Sequence, residues 1–256
     1  MTNLADSAST INAVIQDPIP QIEEAPDLAV TLMRGFNGEK TAIVREMTGA
    51  DEEYLASLES RGTMSYPDYI SALLKRTVES IGKYEVGSKP DIVDELIIGD
   101  RDILFIAVVK ATYGKKRRYT VTCPFCNKDN DLYVDMDDDF PIQGTAEEAE
   151  SAITVTLKNG KEVSLRLPTG GDAKYVNKKA KTIAEQNTLM ISRCAQISEP
   201  NKEQWARNLT VGDRSTLINA LLSVKIGPKS GEVNDPCPSC GEQIVIGLDW
   251  VSLLFG

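Results

Sequence analysis

The residues best placed to do chemistry are four cysteines in two C-P-x-C pairs, Cys123-Pro124-Phe125-Cys126 and Cys237-Pro238-Ser239-Cys240. A C-x-x-C turn presents two thiolates on one bend. Four thiolates close a tetrahedral zinc site with no position left for water, which is the structural kind. The chain contains no histidine, so a zinc site has to be made from cysteine or carboxylate. The 111 residues from Cys126 to Cys237 far exceed the ~15–20 of an ordinary zinc ribbon. Other readings of the pairs are a redox dithiol, a disulfide, or two separate sites each completed by another subunit.

What precedes the pairs explains the gap. Gly99-Asp100-Arg101, an apolar run and Gly114 lead to the first pair, and Gly212-Asp213-Arg214, an apolar run and Gly227 lead to the second. Further back, Val30-Thr31-Leu32 and Asn37-Gly38 match Val155-Thr156-Leu157 and Asn159-Gly160. Both read as strand, Asn-Gly turn, strand. Arg45, Thr48-Gly49, Asp51 and Tyr54 then recur at the same offsets as Arg166, Thr169-Gly170, Asp172 and Tyr175. The four aspartates Asp51, Asp172, Asp100 and Asp213 are expected to N-cap the helices that follow them.

The spacing predicts an amphipathic helix over 69–81 through Ile70, Leu73, Leu74 and Val78, with 172–197 as its counterpart. It also predicts helices from Asp100 to about Thr112 and from Asp213 to about Val224, stopped by Gly114 and Gly227. The first of these is apolar on nearly every side and belongs inside a core. The expected fold is α+β: two tandem pseudo-symmetric repeats of β-hairpin, helices and zinc knuckle, joined at a shared four-cysteine, zinc-ribbon-like site. Repeat 1 spans 28–140 and repeat 2 spans 152–256. A polar linker or short exposed helix covers 141–151, and an extended, proline-punctuated N-terminal arm covers 1–27. Two half-sites related by duplication have a reason to meet, so Cys123, Cys126, Cys237 and Cys240 are read as ligands of one structural zinc per chain, a clamp whose binding energy assists folding.

The chain is 256 residues long and carries a net charge of −10, which argues against a general phosphate-backbone binder. The basic run Lys115-Lys116-Arg117-Arg118 reads as a solvated loop or protein-docking patch. The acidic run Asp135, Asp137, Asp138 and Asp139 reads as a solvated turn, lacking the glycine and final glutamate of a calcium loop. Cys194 has no counterpart in the first half and reads as a small buried residue. No stretch is apolar enough to span a membrane, no secretory signal opens the chain, and a cytoplasmic setting is expected. No phosphate-binding glycine loop or serine elbow is present, so the sequence makes no case for an enzyme. The terminal Trp250, Leu253, Leu254 and Phe255 either close the core or anchor a partner.

Gly99-Asp100-Arg101-Asp102, Ala111-Thr112-Tyr113-Gly114, Thr122 to Cys126, the Asp135–Asp139 tract and the segment Val44 to Glu53 together resemble the T-even-type phage baseplate hub family. Its members are described as baseplate hub subunits or hub assembly chaperones of contractile tails. The resemblance covers residues 28 to 140, and the second half through the repeated pattern. Asn127 stands where the second pair has Gly241, a change the left-handed turn position tolerates. The resemblance implies a non-enzymatic protein acting with phage hub or tail proteins, in the host cytoplasm during assembly or in the virion baseplate. The competing reading is a zinc-ribbon regulator that binds nucleic acid.

Overall fold

A computed structural model describes residues 28–59, 65–229, 231–248 and 253. The arm expected over 1–27 lies outside the described residues. Strands β1 (Ala29–Phe36) and β2 (Glu39–Val44) form the first hairpin. Asn37 and Gly38 both take positive φ, 49° and 82°, as a two-residue turn of this kind requires. Helices α1 (Gly49–Glu59) and α2 (Tyr66–Thr77) follow, then β3 (Val78–Ile81) and β4 (Tyr84–Glu85), giving an antiparallel sheet ordered β1-β2-β3-β4. The helix expected to reach Ile81 therefore stops at Thr77. Val78 and Ile81 are still buried, but as strand residues against β2. Their β-branched side chains suit either face, and pairing with a ready-made strand decides between them.

After the short α3 (Ile92–Glu95) comes α4 (Ile98–Tyr113). Leu104, Phe105, Val108 and Val109 are wholly buried, so α4 is the core helix that its all-round apolar sequence requires. Gly114 ends it at φ 83°. Strands β5 (Lys116–Thr122) and β6 (Asp129–Asp135) then form the first ribbon. The connector holds β7 (Ile142–Gln143) and α5 (Ala146–Glu150), the latter started by a reciprocal capping box of Thr145 and Glu148.

The second half runs β8 (Ile153–Thr156), β9 (Glu162–Leu165), α6 (Gly170–Lys179), α7 (Ile183–Cys194), α8 (Lys202–Asn208), α9 (Val211–Ser223), β10 (Gly227–Pro228) and a second ribbon, β11 (Gly231–Pro236) with β12 (Gln243–Leu248). Its hairpin turn differs from the first. Only Gly160 takes positive φ, and its amide bonds Leu157 O while Leu157 N bonds Lys161 O. That is a three-residue loop with glycine in the left-handed position. The interval expected to match the first helix splits into α6 and α7. All described strand pairs are antiparallel, and the fold mixes α and β. No described helix is long and apolar enough to cross a membrane.

Two main cores form. The first gathers the four-stranded sheet, α2, α4 and the first ribbon, and it also takes in Val233, Ile244 and Leu253 from beyond residue 230. The second gathers Val155, Val163, Leu165, Ile191, Leu217 and Leu221. They are joined where Ile97 bridges Thr169, Ile98 N bonds Pro168 O and Gly170 N bonds Leu96 O. Lys174 also reaches Asp94 there.

Candidate metal centre

Each cysteine pair sits on the tight bend between the strands of a ribbon, and the two bends share their hydrogen bonds. In the first, Cys123 N donates to Lys128 O and Asn127 N to Cys123 O, at 2.9 Å each. In the second, Cys237 N donates to Glu242 O and Gly241 N to Cys237 O, at 2.8 Å each. Asn127 (φ 55°) and Gly241 (φ 78°) occupy the same left-handed position. Asparagine tolerates that region better than most residues with a Cβ, which is why the departure from glycine leaves the bend intact.

The two bends meet. Cys123 Sγ lies 3.8 Å from Cys240 Sγ and Cys126 Sγ lies 3.8 Å from Cys237 Sγ, and all four sulfurs fall within 4.8 Å of one another. A tetrahedron of Zn–S bonds of about 2.3 Å has an edge of about 3.8 Å, so the cross-pair spacings fit that ion. Disulfides need about 2.05 Å between sulfurs, and all five cysteines are free. The disulfide alternative is therefore not the state of these residues.

Cys123 and Cys237 are buried while Cys240 is exposed, so the cluster is rooted in the first core with one edge at the surface. Burial opposes ionisation of Cys237, but the amides of Ser239 and Cys240 and the neighbouring thiols outweigh it and pull its pKa below the ordinary thiol range, while the same crowded sulfurs raise Cys240, so the thiols lose their protons in sequence rather than together. Thiolate is the form that ligates metal.

The offsets that recur upstream of the cysteines are structural. Asp51, fully buried, accepts from Arg45 Nη1 at 2.7 Å, Arg76 Nε at 2.6 Å and Thr48 N at 2.9 Å. Asp172 accepts from Arg166 Nη1 at 2.6 Å, Arg193 Nε at 2.8 Å and Thr169 N at 3.0 Å. Arg76 stacks on Tyr54, and Arg193 on Tyr175. Asp172 is thus not the N-cap that its sequence suggests. Thr169 is the cap, and Asp172 three residues on returns the bond; Asp51 bonds Thr48 the same way.

Asp100 and Asp213 likewise stand third in their helices, after Ile97 and Thr210. Their carboxylates reach out of the helix to the hairpins: Asp100 accepts from Met33, Arg34 and Gly35 amides, and Asp213 from Lys158 N at 2.9 Å. Sequence reasoning missed Arg76 and Arg193. Each immediately precedes the residue (Thr77, Cys194) whose carbonyl accepts from Arg45 N or Arg166 N, but they lie at unequal distances from their aspartates.

The remaining candidates resolve plainly. The run Lys115–Arg118 enters a strand rather than a loop; Lys115 pairs with Asp135 and Asp137, Lys116 with Asp135 and Arg118 with Asp131. Asp135 accepts from the amides of Asp137 and Asp138, so the acidic run is a self-bonded turn flanked by lysines. Burial pushes the Cys194 thiol up to about 12, consistent with an inert core residue. Leu253, offered as a partner contact, is wholly buried in the first core, and Arg117 donates to its carbonyl. Trp250, Leu254 and Phe255 lie outside the described residues. Gly227 is not a helix stop: α9 ends at Ser223, and Gly227, at φ 104°, lies against Gly99, where a Cβ would sit 2.7 Å from Gly99 O.

No curated protein and no solved structure matches the chain. The family model described as T4 bacteriophage base plate protein matches residues 36–252, a span that takes in both hairpin-to-helix junctions, both carboxylate networks and both cysteine bends. The chain therefore belongs to the T4 bacteriophage base plate protein family.

Proposed function

We propose that this protein is a non-enzymatic component or assembly factor of the baseplate hub of a contractile tail, built from two tandem repeats stapled by one structural zinc. The observation that carries the zinc is the meeting of four sulfurs from two bends 111 residues apart, all within 4.8 Å of one another and with two cross-pair spacings at the 3.8 Å edge of a zinc–thiolate tetrahedron. Cys123, Cys126, Cys237 and Cys240 would hold the ion. Four thiolates leave it no open position, so what it supplies is folding energy. The repeats are supported by matched bonds: the Arg45–Asp51–Arg76 and Arg166–Asp172–Arg193 networks, and the Asp100 and Asp213 carboxylates on their own hairpins.

Family membership supports action among phage tail proteins, with assembly in the host cytoplasm and a place in the tail. A rigid body suits docking by surface complementarity. The nucleic-acid reading is disfavoured by the net charge of −10 and by the acids that pair with Lys115, Lys116 and Arg118. Metal analysis of the purified full chain tests the site: about one zinc per chain is expected, and absence of metal overturns it. Electron microscopy of tails made by phage lacking this chain tests the role. Missing or hubless baseplates are expected, and complete baseplates would refute it.

A further inference from the structure

Where the two halves meet, the contact runs one way. The junction Pro168-Thr169-Gly170 and α6 of the second half sit on Leu96-Ile97-Ile98 and on α2 and α3 of the first. Gly170 is buried against the Arg101 guanidinium, where a Cβ would collide with Nη1. Lys174 reaches Asp94 at 3.0 Å. In halves related by a two-fold axis the same contact recurs with the roles exchanged. Here it does not. Gly49, which corresponds to Gly170, is exposed, and a Cβ built there meets nothing within 4 Å.

One receiving face and one entering face are therefore left over. In the second half, Leu209-Thr210-Val211-Gly212-Asp213-Arg214 stands where the first has Leu96-Ile97-Ile98-Gly99-Asp100-Arg101. The two arginines are held alike: Arg101 Nη2 donates to Pro67 O and Ser71 Oγ, and Arg214 Nη2 donates to Ala184 O and Thr188 Oγ1. The receiving surface is thus built in the second half as well, yet Val211 there is 80% exposed where Ile98 is 37%. Arg207 stands in the place of Asp94, and Glu53 in the place of Lys174. Both are exposed, and neither has an ion-pair partner among the described residues. The pair keeps its complementarity with the signs exchanged. Glu185, in the place of Asp68, is taken up by the Lys181 amide at 2.6 Å.

We propose that copies of this chain associate head to tail, the Met47-Thr48-Gly49 junction and Glu53 of one copy seating on Leu209-Thr210-Val211, Arg214 and Arg207 of the next. The occupant is a second copy because this surface repeats one that already holds the matching part of the same chain, and because the charge brought to Arg207 is acidic. Thr210 replaces the buried Ile97, so less apolar surface is covered between copies than within one, and the association is reversible. A head-to-tail contact leaves a free face of each kind at the ends of every assembly, so it grows to a ring or a filament. The pairing rests on the two-repeat part of the proposed function. The zinc and the hub role are tested by metal analysis and microscopy, whose outcomes do not depend on it.

Sedimentation velocity of the full chain over a series of concentrations tests this. Wild type is expected to pass beyond two chains as concentration rises. Arg207→Glu and Glu53→Arg should each weaken association by about tenfold or more. The double variant Glu53→Arg/Arg207→Glu should return close to wild type, because opposite charges face each other again. Both side chains are exposed and unpaired, so melting temperatures should stay at the wild-type value. Gly49→Leu, which meets open space in the lone chain, should also weaken association by obstructing the seat beside Arg214. A chain that stays monomeric at every concentration overturns the proposal. So does association that stops at two chains, that is indifferent to Arg207→Glu, or that the double variant fails to restore.

Discussion

Removing the proposed zinc from the four-cysteine site should cost stability on a scale that the chain's own geometry sets. An ion held by Cys126 and Cys237 closes a loop of 111 residues, for which the cross-link entropy is about 5 kcal/mol. For a chain of this size roughly 2–4 °C of melting temperature is lost per kcal/mol, so chelation should lower the midpoint by about 10–20 °C. The two halves should not simply come apart, because the Ile97–Thr169 bridge and the Asp94–Lys174 ion pair join them independently of the cysteines.

The decisive assay is differential scanning calorimetry with and without chelator on wild type, on Cys123→Ser/Cys126→Ser and on Cys237→Ser/Cys240→Ser. One shared site means that losing either pair abolishes the chelator response, leaving a shift near zero in both variants. Two separate sites would leave each variant with part of the response. A partial response in either variant, or a wild-type midpoint indifferent to chelator, would refute the shared site.

The buried carboxylates give a second set of expectations. Asp51→Asn and Asp172→Asn should each cost about 2–3 kcal/mol by urea denaturation, below the 3–5 kcal/mol of a fully buried broken pair, because the arginine partners are 28–45% exposed and screened by water. The Arg45 guanidinium holds Asp51 well below the usual carboxylate range. For Asp172, burial works the other way but is outweighed by Arg166 and the Thr169 amide. Both folded pKa values are depressed, so this stability is fully present above about pH 4 and is lost as pH falls through the folded values; a melting temperature flat from pH 7 to 2 would contradict it.

Gly99→Ala should destabilise by about 1–3 kcal/mol, since its Cβ would collide with the Ile226 carbonyl, whereas Gly49→Ala meets nothing and should be neutral or slightly stabilising. Alkylation at neutral pH after chelation should label the four clustered cysteines and spare Cys194 until the chain unfolds, as mass mapping would show.

Where a feature depends on a few neighbouring residues, it was legible. Asn37-Gly38 predicted a two-residue hairpin turn, and the apolar run of α4 predicted a central helix. The C-P-x-C bends with Asn127 or Gly241 after them predicted paired thiolates. Three of the errors share one cause, competition from partners distant in sequence. Val78 and Ile81 fit helical spacing, yet β2 claims them as a strand. Asp100 looks like a cap because a cap and a hairpin anchor need the same short carboxylate. Only the position of Met33, Arg34 and Gly35 tells them apart. Gly227 looks like a helix stop, since chain reversal and close approach of two backbones both demand glycine.

By itself, the sequence determined the local parts of this protein and the motifs that recur in it. Each hairpin, helix start and cysteine bend follows from short-range rules of dihedral preference, capping and periodicity. Only the tertiary structure decided how the two sets are shared out. Val233, Ile244 and Leu253 could have closed a second independent core, but they complete the first one. The second cysteine bend is carried with them to the first. The meeting of the two cysteine bends is set by burial of apolar surface far from the sulfurs, a sum over many weak contacts that no spacing in the chain records.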